Sequence, residues 1–270
     1  MPRVMQQHSL AQTQFHMRTH VARRYCTTQP RTLLDTPPAV RPMAAPPPVQ
    51  RRALEIHSVF DPMCPWCYFG LRRLRAFLSH SGAEVTVRTV PYVFDPDTPM
   101  PPLPWTEYVK LRYPDRAESI FSVKLPMTKQ VAASLGIKLC EYERRPISPT
   151  VDALRLFFAA RAIQEPRERT QLELDLAESL LSAAFTLGLD TSDHRVLLQC
   201  ATDAGMSHAA AVQALSSPDS EEWVLSETRR AKTELRISSV PSYTLIDGAT
   251  GRALALTGSE VDWNAALNAL

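Results

Sequence analysis

The most informative stretch of this 270-residue sequence lies at positions 61–70, where it reads DPMCPWCYFG. It separates two segments with different hydrophobic periods. Residues 54–60 alternate in the manner of a strand, whereas Leu71, Leu74 and Leu78 recur at helical spacing within a segment from about 65 to 80. The sequence therefore predicts a strand-to-helix junction with two cysteines, Cys64 and Cys67, at the start of the helix.

Two cysteines at this spacing and in this position suit thiol–disulfide exchange. The unpaired N–H groups and the positive dipole end of a helix N-terminus stabilise a thiolate, which favours Cys64 as the nucleophile. Cys67 lies one turn further on, within reach to resolve a mixed disulfide. Pro65 occupies a position that a helix tolerates, and Trp66 adds bulk that shapes access. We therefore predict Cys64 and Cys67 as the catalytic pair, with Pro65 and Trp66 beside the bound substrate.

Two other interpretations of the cysteine pair agree less well with the sequence. A structural zinc site usually needs four ligands from two such pairs, but Cys140 and Cys200 are isolated from each other and no histidine cluster joins them. The sequence thus predicts no metal site. Packing of two inert core thiols explains poorly why they flank Pro-Trp at a strand-to-helix junction. With Cys26 the count is five, and an odd number without a secretory signal disfavours a structural disulfide framework.

A second candidate feature is Val240-Pro241, directly before the β-prone residues 242–246. A proline before an inner strand removes a hydrogen-bond donor and needs a reason. A cis bond would let Val240 present its backbone N–H and C=O to a peptide bound beside the cysteines; a trans proline at a strand start is the alternative. We predict both residues as part of the substrate-binding surface.

The remaining periodicity outlines one α/β domain over 53–270. Residues 84–90 predict a second strand, parallel to the first because a helix connects the two. From about 104 to 235 the pattern predicts several helices and no strand. Residues 242–246 and 252–256 then predict a hairpin that precedes a last helix. Arg72 and Arg73 are expected on a solvated helix face.

The N-terminal 52 residues differ in composition from the rest. They hold eight of the 30 basic residues and only one of the 28 acidic residues, and residues 37–48 are rich in proline. This composition predicts a disordered leader that contains a mitochondrial presequence and a Pro-rich linker. An unstructured tail, an unused upstream start and a cytoplasmic location are the alternatives. The mildly acidic remainder disfavours a nucleic-acid partner, and the lack of a long apolar run disfavours membrane insertion.

These residues carry a resemblance to a known family. The motif at 61–70 resembles the D-x-x-C-P-W-C-Y-x-G signature of the FrnE-like subgroup in the DsbA-like branch of the thioredoxin superfamily. That subgroup is related to kappa-class glutathione transferases and 2-hydroxychromene-2-carboxylate isomerases. The segment 238–241 is similar to the family's Gly-Val-Pro element, which holds a cis-proline, although Ser239 replaces the glycine and Ser242 follows the proline where an aromatic residue is common.

The resemblance implies a thioredoxin-like fold with a large all-helical insertion, and a dithiol–disulfide oxidoreductase whose nucleophile is Cys64. The partners expected are protein disulfides or dithiols, or glutathione as co-substrate, with no resident cofactor; the sequence gives no oligomeric state. One rival is a glutathione-dependent transferase or isomerase, but those relatives usually carry Ser at the position of Cys64. The other rival is a non-catalytic peptide-binding module. Asp61 is a candidate to influence the deprotonation of Cys67.

Overall fold

The computed structural model describes residues 52–270, so the leader and presequence predicted at 1–52 lie, except for Arg52, outside the described residues. Within 52–270 the strands are β1 (Ala53–Phe60), β2 (Glu84–Pro91), β3 (Leu103–Pro104), β4 (Pro146–Ile147), β5 (Ser242–Asp247) and β6 (Ala253–Thr257). The α-helices are α1 (Pro65–His80), α2 (Trp105–Arg112), α3 (Ala117–Ser119), α4 (Leu125–Ser134), α5 (Val151–Ala160), α6 (Pro166–Ser182), α7 (His194–Asp203), α8 (His208–Ser216), α9 (Pro218–Thr233) and α10 (Trp263–Ala269). None of these helices is long and apolar enough to cross a membrane.

A four-stranded mixed sheet forms the centre of the fold, with the strand order β2-β1-β5-β6. Strands β1 and β2 are parallel, as the intervening helix predicts, and Leu54 lies opposite Val85. Strand β5 runs antiparallel to β1 on its other side and forms the predicted hairpin with β6. The βαβ unit and the C-terminal ββα unit predicted from periodicity are both confirmed.

The segment between β2 and β5 is a helical insertion, as predicted, and it contributes much of the core. Phe157 of α5 and Leu176 and Leu180 of α6 are fully or almost fully buried. The expectation that no strand occurs between 104 and 235 was wrong at one place, because β4 pairs antiparallel with β3. Periodicity could not reveal this ladder, since two residues are too few to show a period.

Helix α1 is tied to the insertion by ion pairs. Arg72 contacts Glu178 at 2.7 Å, and Arg75 contacts Asp175 and Glu178, both at 2.6 Å. Arg73 donates to the carbonyl of Ser259 near the C-terminus at 3.0 Å. The Arg72 and Arg73 side chains remain 40% and 26% exposed, so the predicted solvated face is correct only in part, because α6 and the segment after β6 also contact it.

Candidate active site

The first turn of α1 exposes one sulfur at a helix N-terminus. Cys64 is the N-cap residue, with an extended backbone (φ −89°, ψ 116°), and no side chain caps the helix there. The N–H of Cys64 donates to the carbonyl of Asp61, and the N–H of Cys67 donates to the carbonyl of Cys64, both at 3.1 Å. No acidic residue lies in the first turn of α1. Neither a capping side chain nor an acidic group therefore competes with the Cys64 sulfur at this helix N-terminus.

The two sulfurs of the motif lie in different environments. Both cysteines are free, but Cys64 is half-buried whereas only 2% of Cys67 is exposed. Burial raises the pKa of the Cys67 thiol well above its ordinary value, and its hydrogen bond with Cys64 adds to this rise. Cys64 is therefore the accessible sulfur, while Cys67 is held as a neutral thiol behind it.

The loop before β5 lies directly against Cys64. The Val240–Pro241 peptide bond is cis, and the Cys64 thiol donates a hydrogen bond to the Val240 carbonyl at 3.4 Å. The loop is closed by its own contacts, since Ser242 Oγ donates to the carbonyl of Ser239 at 2.8 Å. The serines at 239 and 242, which depart from the family pattern, are therefore joined to each other.

Behind the motif, α1 and β5 approach each other so closely that only glycine fits at position 70. A Cβ at Gly70 would lie 2.2 Å from the Tyr243 hydroxyl and 3.0 Å from Cγ of Pro241. The Tyr243 ring is buried and packs edge-on against Trp263 with the centroids 4.9 Å apart, so it has little room to move. Gly70 thus sets the distance between the cysteine helix and the cis-proline loop.

We expect Gly70→Ala to lower the free energy of unfolding by about 1–3 kcal/mol, because the added methyl group overpacks this contact. Gly82→Ala is the matched control, since a Cβ at Gly82 meets no atom within 4 Å; its effect should stay within about 0.5 kcal/mol. Urea unfolding of both variants measures the difference. Equal stabilities would contradict the close approach of α1 to Pro241 and Tyr243.

Asp61, at the end of β1, is a fully buried carboxyl group. It accepts hydrogen bonds from the N–H groups of Met63 at 2.7 Å and Phe94 at 2.6 Å, and from the Thr150 hydroxyl at 3.2 Å. Burial outweighs these bonds and raises the pKa of Asp61 to about 6. Its charge is one of the smaller causes that raise the pKa of Cys67, while a hydrogen bond with the Asp61 backbone lowers that pKa; an influence of Asp61 on the deprotonation of Cys67 stays a prediction.

A cavity of about 190 Å³ opens beside Cys64, between the motif and the insertion. Cys64, Pro65 and Trp66 form one wall. The other walls are formed by side chains from the loop after β2 and from the insertion, among them Phe94, Trp105, Tyr108, Tyr142, Arg145 and Ile147. The cavity is mostly aromatic and apolar, which is typical of a site for a small molecule or a side chain.

The fold thus brings the six predicted site residues together. Cys64, Pro65 and Trp66 line the cavity, Val240 contacts Cys64, and Pro241 lies with Cys67 around a smaller space on the inner side. Sequence reasoning missed the insertion's contribution. Trp105, Tyr142 and Arg145 lie 35 or more positions from the motif, and no motif surrounds them, so no signal in the sequence indicated them.

The other two described cysteines serve the core. Cys200 is buried and its thiol lies 3.8 Å from the carbonyl of Ser179, while Cys140 is half-buried against Gly188. Burial raises the pKa of both thiols. Within residues 52–270, no three His, Cys, Asp or Glu side chains lie close enough together to hold a metal ion.

Comparison with known families identifies the domain to which these elements belong. The family model described as the DSBA-like thioredoxin domain matches residues 55–261 of the sequence. No curated relative matches it.

Several solved structures share the fold. A protein described as a "probable DsbA oxidoreductase" from Streptomyces coelicolor is 22% identical, with a TM-score of 0.60 over 77% of this chain and 84% of its own. The cytosolic disulfide reductase DsbM from Pseudomonas aeruginosa is 19% identical, with a TM-score of 0.54 over 80% and 97%, and has also been solved with GSH. A 2-hydroxychromene-2-carboxylate isomerase is 17% identical, with a TM-score of 0.50 over 80% and 93%. At these identities the likeness is one of fold.

Proposed function

The chain belongs to the DSBA-like thioredoxin domain family, and from this premise we propose that it is a thiol–disulfide oxidoreductase that works through Cys64 and Cys67. One observation carries the proposal. The half-buried Cys64 is the N-cap residue of α1 and its thiol contacts the Val240 carbonyl, while the buried Cys67 lies within hydrogen-bonding distance behind it. This arrangement provides an attacking sulfur, a resolving sulfur and an adjacent backbone edge for a substrate.

The reduced pair reduces a disulfide in two steps. The Cys64 thiolate attacks one sulfur of the partner disulfide; that S–S bond breaks, and the other partner sulfur leaves as a thiolate that takes up a proton. Cys67 then loses its proton, and its sulfur attacks Cys64. The mixed disulfide breaks, the second partner thiol is released, and the two electrons of the dithiol have passed to the partner. The same steps in reverse oxidise a partner dithiol.

The buried position of Cys67 gives the two steps their order. Because its pKa is raised by burial, Cys67 stays a thiol while Cys64 meets the substrate. Cys67 therefore does not compete for the incoming disulfide, and it acts after Cys64 has been captured. Val240 and Pro241 would hold the substrate backbone beside the mixed disulfide.

The partners proposed are protein disulfides or dithiols, or glutathione. The P. aeruginosa reductase of similar fold has been solved with GSH, which makes glutathione a suitable first candidate. The mitochondrial location expected from residues 1–52, with the cytoplasm as the alternative, is part of the proposal. In a reducing compartment the pair would work as a reductase rather than as a net oxidant.

Alkylation of the folded, reduced protein tests the proposed division of roles. We expect iodoacetamide at pH 7 to modify Cys64 at least about tenfold faster than Cys67 or Cys200, because only thiolates that the reagent can reach are alkylated. Peptide mapping by mass spectrometry measures each rate. In a separate sample, mild oxidation before alkylation should join Cys64 to Cys67 and protect both from the reagent. If neither thiol reacts and no disulfide forms between them, the proposed function is wrong.

A further inference from the structure

Arg145, at the cavity beside Cys64, is a buried cation. Only 4% of the residue is exposed. Its backbone carbonyl accepts a hydrogen bond from the N–H of Trp105 at 2.9 Å, just before β4. Its guanidinium carbon lies 4.2 Å from the ring centroid of Phe185 and 4.9 Å from that of Tyr142. These aromatic faces fix the position of the charge through cation–π contacts.

The structure gives this charge no acidic partner within the described residues. The nearest carboxylates along the chain are engaged elsewhere, since Glu143 contacts Lys129 at 2.5 Å and Glu141 contacts Arg144 at 3.5 Å. The Nε–H group of Arg145 is buried without a hydrogen-bond partner. Buried charges are normally paired, because removal from water is costly. A guanidinium also cannot lower this cost by losing its proton. Among residues 52–270, Arg145 therefore has no anionic partner.

The anion that would complete this pairing has to enter from the cavity. Arg145 and Cys64 line the same space of about 190 Å³, and the side chains between them are largely aromatic and apolar. In such surroundings a charge-assisted hydrogen bond is stronger than in water. The cavity admits a short arm of a few heavy atoms, and Cys64, the proposed nucleophile, is one of its lining residues.

We propose that Arg145 binds a carboxylate of a small thiol or disulfide whose sulfur reacts with Cys64, a chemistry that a glutathionyl group provides. This inference rests on the proposed function and names its substrate class. For glutathione disulfide, Cys64 attacks one sulfur, the S–S bond breaks, and one glutathione leaves as a thiolate. Cys67 then displaces the second, so the protein's own dithiol supplies the two electrons.

Small disulfides that differ in net charge test the proposal. The rate constant for the reaction of each with the reduced, full-length protein is measured in single turnovers. The probes are glutathione disulfide and 3,3′-dithiodipropionate, which are anionic, 2-hydroxyethyl disulfide, which is neutral, and cystamine, which is cationic. Arg145→Gln should lower the rate constants for the anionic probes by about ten- to a hundredfold relative to the neutral probe. Arg145→Lys should recover part of this loss. Arg144→Gln is the matched control, because the Arg144 side chain is 83% exposed, and it should leave the ratio unchanged.

The ratio of the rate constant for an anionic probe to that for the neutral probe distinguishes a loss of anion binding from a loss of folded protein. A partly misfolded variant reacts more slowly with all four probes by the same factor. If Arg145→Gln left the ratio unchanged, the proposal would be wrong. A peptide carrying a glutathionyl mixed disulfide serves as a further probe. A loss for this peptide as large as that for free glutathione disulfide would mean that the glutathionyl group of a protein is also accepted, whereas a loss confined to the free disulfide would restrict the site to free glutathione.

A binding measurement distinguishes failure of this site from failure of the proposed function. S-methylglutathione keeps the carboxylates of glutathione but has no reactive sulfur, so its affinity measured by calorimetry does not depend on exchange. We expect the dissociation constant to rise by about tenfold or more in Arg145→Gln and to stay constant in Arg144→Gln. Wild-type binding without any disulfide exchange would refute the oxidoreductase and leave the anion site standing; no effect of Arg145→Gln on binding would refute the site.

Discussion

Replacing Cys64 with serine is expected to lower the rate constant for disulfide exchange by about three orders of magnitude or more. The reason is chemical, since a hydroxyl oxygen at this position can neither ionise near neutral pH nor form a disulfide bond. Cys64 is half-buried at the N-cap position of α1, where its side chain makes no capping hydrogen bond, so the substitution changes one atom in an accessible place. Single-turnover reduction of a small disulfide measures the loss, and circular dichroism verifies the fold.

Two matched cysteine variants make this expectation specific. Cys67→Ser should retain the first attack and accumulate a mixed disulfide on Cys64, because the resolving sulfur is missing; its mass identifies the trapped partner. Cys200→Ser should leave exchange unchanged, since Cys200 is buried beside the carbonyl of Ser179. Full activity of Cys64→Ser would contradict the redox mechanism and favour the non-catalytic peptide-binding module.

The second large effect concerns the pH dependence of stability at Asp61. Burial raises the pKa of Asp61 to about 6 from an ordinary value of 3.8, so between these values the folded protein holds a proton that the unfolded chain has released. The contribution of Asp61 to stability is therefore fully present below pH 3.8 and is lost as the pH rises through 6. A shift of this size corresponds to about 3 kcal/mol at pH 7.

Asp61→Asn removes this titration and isolates its effect. The substitution also disturbs the hydrogen bonds from Met63, Phe94 and Thr150, but that cost is the same at every pH. We therefore expect the unfolding free energy of Asp61→Asn, relative to wild type, to improve by about 3 kcal/mol between pH 3.5 and pH 7. Urea denaturation across this range measures the difference.

Asp247→Asn provides a control of opposite sign. A hydrogen bond from the N–H of Thr250, together with Arg52, lowers the pKa of Asp247 to about 2. Its contribution is present above pH 3.8 and is lost as the pH falls towards 2, so this variant should be less stable relative to wild type at pH 5 than at pH 2. If the two variants showed parallel pH profiles, the burial of Asp61 described above would be wrong.

Local sequence patterns sufficed for most of the fold. The alternation in β1 and β2 and the leucine spacing in α1 predicted the βαβ unit, because the side-chain period reports which face of an element is buried. The same argument located the hairpin of β5 and β6. The motif supplied Cys64 and Cys67, because their spacing and their place at a helix start are themselves the requirements of the chemistry.

What the sequence by itself determined is thus the scaffold, the cysteine pair and the proline loop, each of which is encoded within a few neighbouring residues. Only the tertiary structure decided that Asp61 is fully buried, that α6 pairs with α1, and that Arg145 lines the cavity beside Cys64 with no acidic partner among the described residues. The physical reason is that burial and charge pairing depend on which distant segments meet. A pattern of neighbouring residues does not record those contacts.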